Sequence, residues 1–195
     1  MKLKLTFIIG LIFFSCFFWA CKSLPAPVEP VSRNLFDSGI KTPEQLCKFF
    51  MDSNPDADFE QVLSMASLYV DEAAQEGINS DCAFVQMCLE TGFLRFGGLV
   101  TPDMHNYCGL GAIDENHRGE VFENEQMGIR AHIQHLHAYA TTEDVALKNE
   151  CIDNRYKWVR PRGKAVTIFG LAKTWAQDPD YGTKLDSLLT RLENY

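Results

Sequence analysis

The chain has 195 residues, with 18 Lys and Arg against 26 Asp and Glu and a formal net charge of −8 at pH 7. That length holds one domain with a short tail. The acidic balance argues against nucleic-acid binding, which depends on basic side chains neutralising phosphates, and against a substrate held by long-range charge.

The N-terminus reads as a targeting segment rather than as part of a fold. Lys2 and Lys4 precede an apolar, uncharged run from Leu5 to Ala20, short for a membrane span and suited to a signal peptide over residues 1–20. The run ends in Phe18-Trp19-Ala20-Cys21, which resembles a lipoprotein processing site, although Leu is usual where Phe18 stands. Cleavage there leaves Cys21 as the lipidated residue, and two or more acyl chains hold a protein stably on a bilayer. Residues 21–41, with Pro25, Pro27 and Pro30, read as a lipid-anchored extended linker. The expected location is exported and tethered to a bacterial membrane.

Residues 42–195 read as a succession of helices. Thr42-Pro43-Glu44-Gln45 offers an N-cap, a proline at the first helical position and a capping-box glutamine, and Leu46, Phe49 and Phe50 give an apolar face. A second helix is expected from Asp58 to Gly77 and a third from Ser80, as N-cap, to Thr91-Gly92. After a glycine-rich loop over 93–121, Asn124 caps a helix through Tyr139. A short helix is expected after Thr141 or Thr142, a basic surface loop over Arg155 to Lys164, helix again over Ala165 to Ala176, and a last helix capped by Asp180. No segment shows sustained strand alternation, so the expected class is all-α with at most a minimal β element.

Five cysteines lie beyond the anchor, Cys47, Cys82, Cys88, Cys108 and Cys151. The odd number leaves at least one thiol unpaired within the chain, and none has zinc-like spacing. His132, His135 and His137 share one helix without acidic ligand spacing and read as packing residues, so no metal and no cofactor are expected.

The chemistry concentrates at Glu90. It falls in the last turn of the third helix, where the negative end of the helix dipole raises a carboxyl pKa slightly and partial burial raises it further. Both favour the protonated acid that glycoside cleavage requires. The string Phe84-Val85-Gln86-Met87-Cys88-Leu89-Glu90-Thr91-Gly92-Phe93, followed by Asn106-Tyr107-Cys108-Gly109-Leu110-Gly111, resembles the glucosaminidase domain of glycoside hydrolase family 73. The resemblance continues through Phe122 to His132 and through Trp175-Ala176-Gln177-Asp178-Pro179-Asp180-Tyr181-Gly182-Thr183-Lys184-Leu185, and spans about residues 45–193.

The resemblance implies a lysozyme-like helical fold, with Glu90 as general acid and Tyr181 as the active-site tyrosine. Asn106, Tyr107, Phe93 and Trp175 are candidates to line a sugar groove. The second carboxylate falls in the short insert Ala112 to Val121, with Glu120 first and Glu123, Asp114 and Glu115 behind it; the hairpin of many relatives is expected to be shortened or absent. Attack by the substrate's own acetamido group is the alternative to a second carboxylate. The expected activity is an endo-β-N-acetylglucosaminidase acting on the glycan strands of peptidoglycan. The competing readings are a lytic transglycosylase and a catalytically silent glycan-binding lipoprotein.

Overall fold

Helix α3 (Ser80–Thr91) is the axis around which the domain is built, because nearly every side chain from Ser80 to Cys88 is buried. A helix that is enclosed on all sides needs neighbours on all sides. These are α1 (Pro43–Met51), α2 (Phe59–Glu76), α4 (Glu125–Ala140) and α5 (Tyr181–Leu192). The computed structural model describes residues 29–195. The expected signal peptide, Cys21 and the start of the linker lie outside the described residues. Among the described residues, no helix is long and apolar enough to cross a membrane.

The local signals explain most helix ends. Thr42 and Gln45 form a reciprocal capping box on α1. Asp58 caps α2, which stops at Gly77 in the left-handed conformation. Asn124 caps α4 through Met127 N. The aromatic floor of the core, with Phe49, Phe50, Tyr69 and Phe84 all fully buried, is joined by edge contacts of 5.6 Å between Tyr69 and Phe84 and 6.3 Å between Phe50 and Phe84. A buried ion pair ties α2 to α4. Glu72 accepts from Arg130 Nε at 2.8 Å and Nη2 at 2.9 Å, and from Gln126 Nε2 at 2.7 Å.

Five expectations are corrected. The N-cap of α3 is Asn79, whose side chain accepts from Asp81 N and Cys82 N; Ser80 is already helical. The segment after Thr141 is not a helix, and its backbone runs to the side chain of Glu76, which accepts from Lys148 N at 2.8 Å and Asn149 N at 3.0 Å. Residues 165–176 hold only a 3-10 turn, Ile168–Leu171. Their backbone pairs elsewhere: Leu35 N donates to Val166 O and Ile168 N donates to Arg33 O.

That same pairing shortens the linker. Val31 and Leu35 are buried, and Arg33 binds Asp186 and Glu193, so residues 31–41 belong to the folded body. Finally, Asp180 precedes α5 but its side chain makes no capping bond; Asp178 accepts from Asp180 N instead. The expected insert does contain a hairpin, reduced to β1 (Ala112–Asp114) and β2 (His117–Arg118).

None of the five cysteines is in a disulfide; Cys47, Cys82, Cys88 and Cys108 are buried and Cys151 is exposed. Burial pushes the four interior thiols up, away from thiolate, which makes them small packing groups.

Candidate active site

Glu90 ends α3 because Gly92 caps it in the left-handed region, with φ 58°. Phe93 and Leu94 continue with φ 58° and 59°, a conformation costing about 1–2 kcal/mol per non-glycine residue. The turn is held by Phe93 N to Cys88 O at 2.7 Å, Phe96 N to Thr91 O at 2.7 Å and Asn54 Nδ2 to Phe93 O at 2.8 Å. It carries the chain sharply off the helix end and sets Phe96, Leu99 and Val100 beside Glu90 as one wall of a recess of about 210 Å³.

Two donors converge on one oxygen of Glu90. The Tyr181 hydroxyl and Trp175 Nε1, the latter at 3.2 Å, both donate to Oε1. The other oxygen, Oε2, faces Gly109, where a β-carbon would come within 3.8 Å of it. Glu90 is exposed as a residue, but its carboxylate is held by the buried Tyr181, which is bonded in turn to the buried Gln86. Burial raises its pKa, opposed by the bonds from Tyr181 and Trp175. Because Oε1 already accepts twice, the proton of the neutral acid sits on Oε2, toward the cleft.

Behind Tyr181 runs a buried chain of hydrogen bonds. Gln86 Nε2 donates to the Tyr181 oxygen at 2.9 Å. Gln86 Oε1 lies 3.1 Å from His132 Nε2, and His132 Nδ1 lies 2.9 Å from the Tyr69 hydroxyl. With the Gln86 amide oriented this way, every member donates toward Glu90: Tyr69 to His132, His132 to Gln86, Gln86 to Tyr181 and Tyr181 to Glu90. That order requires a neutral His132 protonated on Nε2, and burial pushes its pKa down to about 3. The phenol of Tyr181 is held protonated by burial and by the adjacent Glu90 charge.

The other expected site residues divide. Trp175 donates to Glu90 and walls a second recess of about 200 Å³ that shares Gly109 and Ala112 with the first. Asn106 borders the first recess, but its amide is fully engaged with the loop. It donates to Leu110 O and Glu120 O and accepts from Leu110 N. It shapes the groove rather than offering its amide to a ligand.

Tyr107 is buried in the main core, near His105 and Glu125 and away from both recesses. Phe93 also points away, packing 5.5 Å from Phe50 and 5.9 Å from Phe49. Phe96, three residues on, takes the place in the wall that was expected of Phe93.

Glu120 is half-buried at the base of the hairpin, its side chain against Gly111. Gly111 lines the second recess, while Glu120 itself lines neither. Glu123, Asp114 and Glu115 are exposed, and Asp114 is engaged with His117. Among the described residues that line the two recesses, Glu90 is the one carboxylate. His135 and His137 are engaged separately, with Asp153 at 2.7 Å and Tyr156 at 2.9 Å, and no group of three or more metal-ligating side chains occurs among the described residues.

Sequence reasoning missed Gln86 and Phe96. Gln86 was legible in principle: it lies four residues before Glu90, which puts the two on one helix face.

Residues 66–194 match the family described as Glucosaminidase: Mannosyl-glycoprotein endo-beta-N-acetylglucosaminidase. An uncharacterized protein of Borreliella burgdorferi is 40% identical over 161 residues, covering 83% of this chain and 78% of that protein. The fold is similar to S. aureus autolysin E in complex with the muropeptide NAM-L-ALA-D-iGLU, with TM-score 0.53, 9% identity, and coverage of 86% of this chain and 73% of that one. It is similar also to a catalytic mutant of autolysin E in complex with the disaccharide NAG-NAM, with TM-score 0.54, 9% identity, and coverage of 85% and 73%.

Proposed function

From the premise that this chain belongs to the glucosaminidase family and is a glycoside hydrolase, we propose that it is a peptidoglycan hydrolase, an endo-β-N-acetylglucosaminidase with Glu90 as its general acid. The observation that carries this reading is the asymmetry of the Glu90 carboxyl group. Tyr181 and Trp175 anchor Oε1 and leave Oε2 facing the cleft, while burial favours the protonated form. The autolysin E complexes with a muropeptide and with NAG-NAM support peptidoglycan as the source of the strand.

In this mechanism Glu90 Oε2 gives its proton to the glycosidic oxygen as the bond to the anomeric carbon breaks. The presence of a single carboxylate among the cleft-lining described residues supports the acetamido-assisted route. The carbonyl oxygen of the N-acetyl group closes on the anomeric carbon, and water then opens the ring, losing its proton to the Glu90 carboxylate. Tyr181 keeps Glu90 oriented through both steps. Glu120, packed against Gly111, is the candidate base for the two-carboxylate alternative.

A renaturing zymogram on cell-wall material tests the reading. Wild type clears and Glu90→Gln does not, with an unchanged circular dichroism melt. Equal clearing by both proteins overturns it. Borohydride reduction of the products yields reduced N-acetylglucosamine ends, whereas 1,6-anhydromuramoyl ends would make the protein a lytic transglycosylase. A cell-envelope location anchored by acylated Cys21 belongs to the same proposal; labelled palmitate incorporation that Cys21→Ala abolishes is the expected result.

A further inference from the structure

The acidic chain concentrates positive charge in one place. Five of its 18 Lys and Arg residues fall within residues 155–164, a stretch with no Asp or Glu. Three of them are accounted for or lie away from the cleft. Arg160 pairs with Glu143, Arg162 donates to Ala138 O and Thr141, and Lys157 is exposed. The remaining two, Arg155 and Lys164, line a trough that continues the second recess past His135 and Tyr139.

Neither side chain is in an ion pair among the described residues. Each lies over an aromatic face instead: the Arg155 guanidinium 5.2 Å from the Trp158 ring centre and the Lys164 ammonium 4.5 Å from that of Tyr139. Asp153, two residues before Arg155, is buried and bonded to His135 and to Arg155 N. Trp158 is 63% exposed, a large aromatic surface left open beside two unpaired cations.

We infer that this trough is a second binding arm for the carboxylates of an acidic peptide carried by the glycan strand. Arg155 presents a planar fork suited to a carboxylate, and Lys164 presents a point charge one ring away. Trp158, Tyr139 and Trp175 supply apolar walls for the peptide between them. The trough adjoins the second recess, and that recess in turn shares Gly109 and Ala112 with the one that holds Glu90. A ligand with few carboxylates fits better than a long polyanion, because the chain as a whole carries −8 and repels one. The inference rests on the glycan reading given above.

Titration calorimetry on the Glu90→Gln protein tests it with three soluble ligands: a disaccharide bearing a peptide with free carboxylates, the same compound with those carboxylates amidated, and the peptide-free disaccharide. The first is expected to bind about tenfold more tightly than either of the others, with the preference shrinking as salt is added. Adding Arg155→Gln and Lys164→Gln together is expected to erase the preference while the melt stays where it was. Equal binding of all three ligands overturns the arm and leaves the glycan reading standing, as does a preference that survives the double substitution. Binding of none of them overturns the glycan reading itself.

Discussion

The Tyr181 hydroxyl donates to the same oxygen of Glu90 that receives the Trp175 indole, which leaves Oε2 to carry the proton in the proposed mechanism. Its bond also lowers the Glu90 pKa against the upward push of burial. Tyr181→Phe should therefore do two separable things. The rate should fall about 100-fold through lost positioning, and the alkaline limb of the kcat/KM profile should move to higher pH, because the acid works only while protonated. A tyrosine that merely seats α5 would lower the melting temperature without moving that limb.

Glu120→Gln separates the two mechanisms. If the substrate's acetamido group supplies the nucleophile, activity should stay within about tenfold of wild type, since a lost general base costs about 100-fold or more. A larger loss, with the fold intact, would assign the base to Glu120. Product anomer analysis by NMR gives an independent reading, with retention expected for the acetamido route.

His132 couples folding to acid. Its pKa is pushed down to about 3 by burial, while in the unfolded chain it titrates near 6.5. Below that value the unfolded state binds a proton that the native state refuses, so stability is complete above about pH 6.5 and falls toward pH 3, by up to about 1.4 kcal/mol per pH unit. His137, pushed down to about 4 by burial and by Arg162, adds to the same window. Glu90 and Asp81, both raised by burial, act in the opposite sense. A His132→Gln variant isolates the histidine: it should be less stable at pH 7 and show a shallower loss between pH 6.5 and 4 in urea melts.

Gly128→Ala should unfold the site from a distance. A β-carbon at position 128 would stand 1.7 Å from His105 O, where α4 passes directly under the loop that leads into Asn106. Backbone cannot yield as a flexible side chain does, so the expected cost is about 3 kcal/mol or more, read as a drop in the denaturation midpoint.

Arg130→Ala tests the tie between α2 and α4. Glu72 is nearly inaccessible, and removing Arg130 leaves a buried carboxylate with Gln126 as its one remaining side-chain donor. The expected loss is about 3 kcal/mol, partly restored at acid pH where Glu72 can be protonated. A loss that is the same at every pH would show that packing, not charge, is what Arg130 supplies.

The sequence made the helices legible wherever a cap was strong and local. Thr42 with Gln45, Asp58, and Asn124 each satisfy orphan N–H groups within three residues, and such pairings can be read without a fold. Residues 165–176 could not be read this way, because their hydrogen bonds go to residues 33–35, more than 130 positions earlier. The site divides along the same line. Glu90, Tyr181 and Trp175 carry motif signals and converge. Phe93 and Phe96 differ only in which side of a left-handed turn they leave, and the three successive positive φ values at 92–94 that decide it have no reliable signature in residue type. Asn106 was recognisable as special, but its amide faces its own loop beside Gly119, where a β-carbon would stand 3.0 Å from Nδ2.

With Glu90 as the proposed acid, Gly109 borders the side from which the glycosidic oxygen would approach. It adopts φ 67° and leaves bare the space opposite Glu90 Oε2, and a leaving oxygen must come within about 3 Å of that atom to take its proton. A β-carbon there would stand 3.8 Å from Oε2, and at this φ the substitution also strains the loop by about 1–2 kcal/mol. In the proposed mechanism the approach path of the scissile bond is thus written in an atom the chain omits, and Gly109→Ala narrows it.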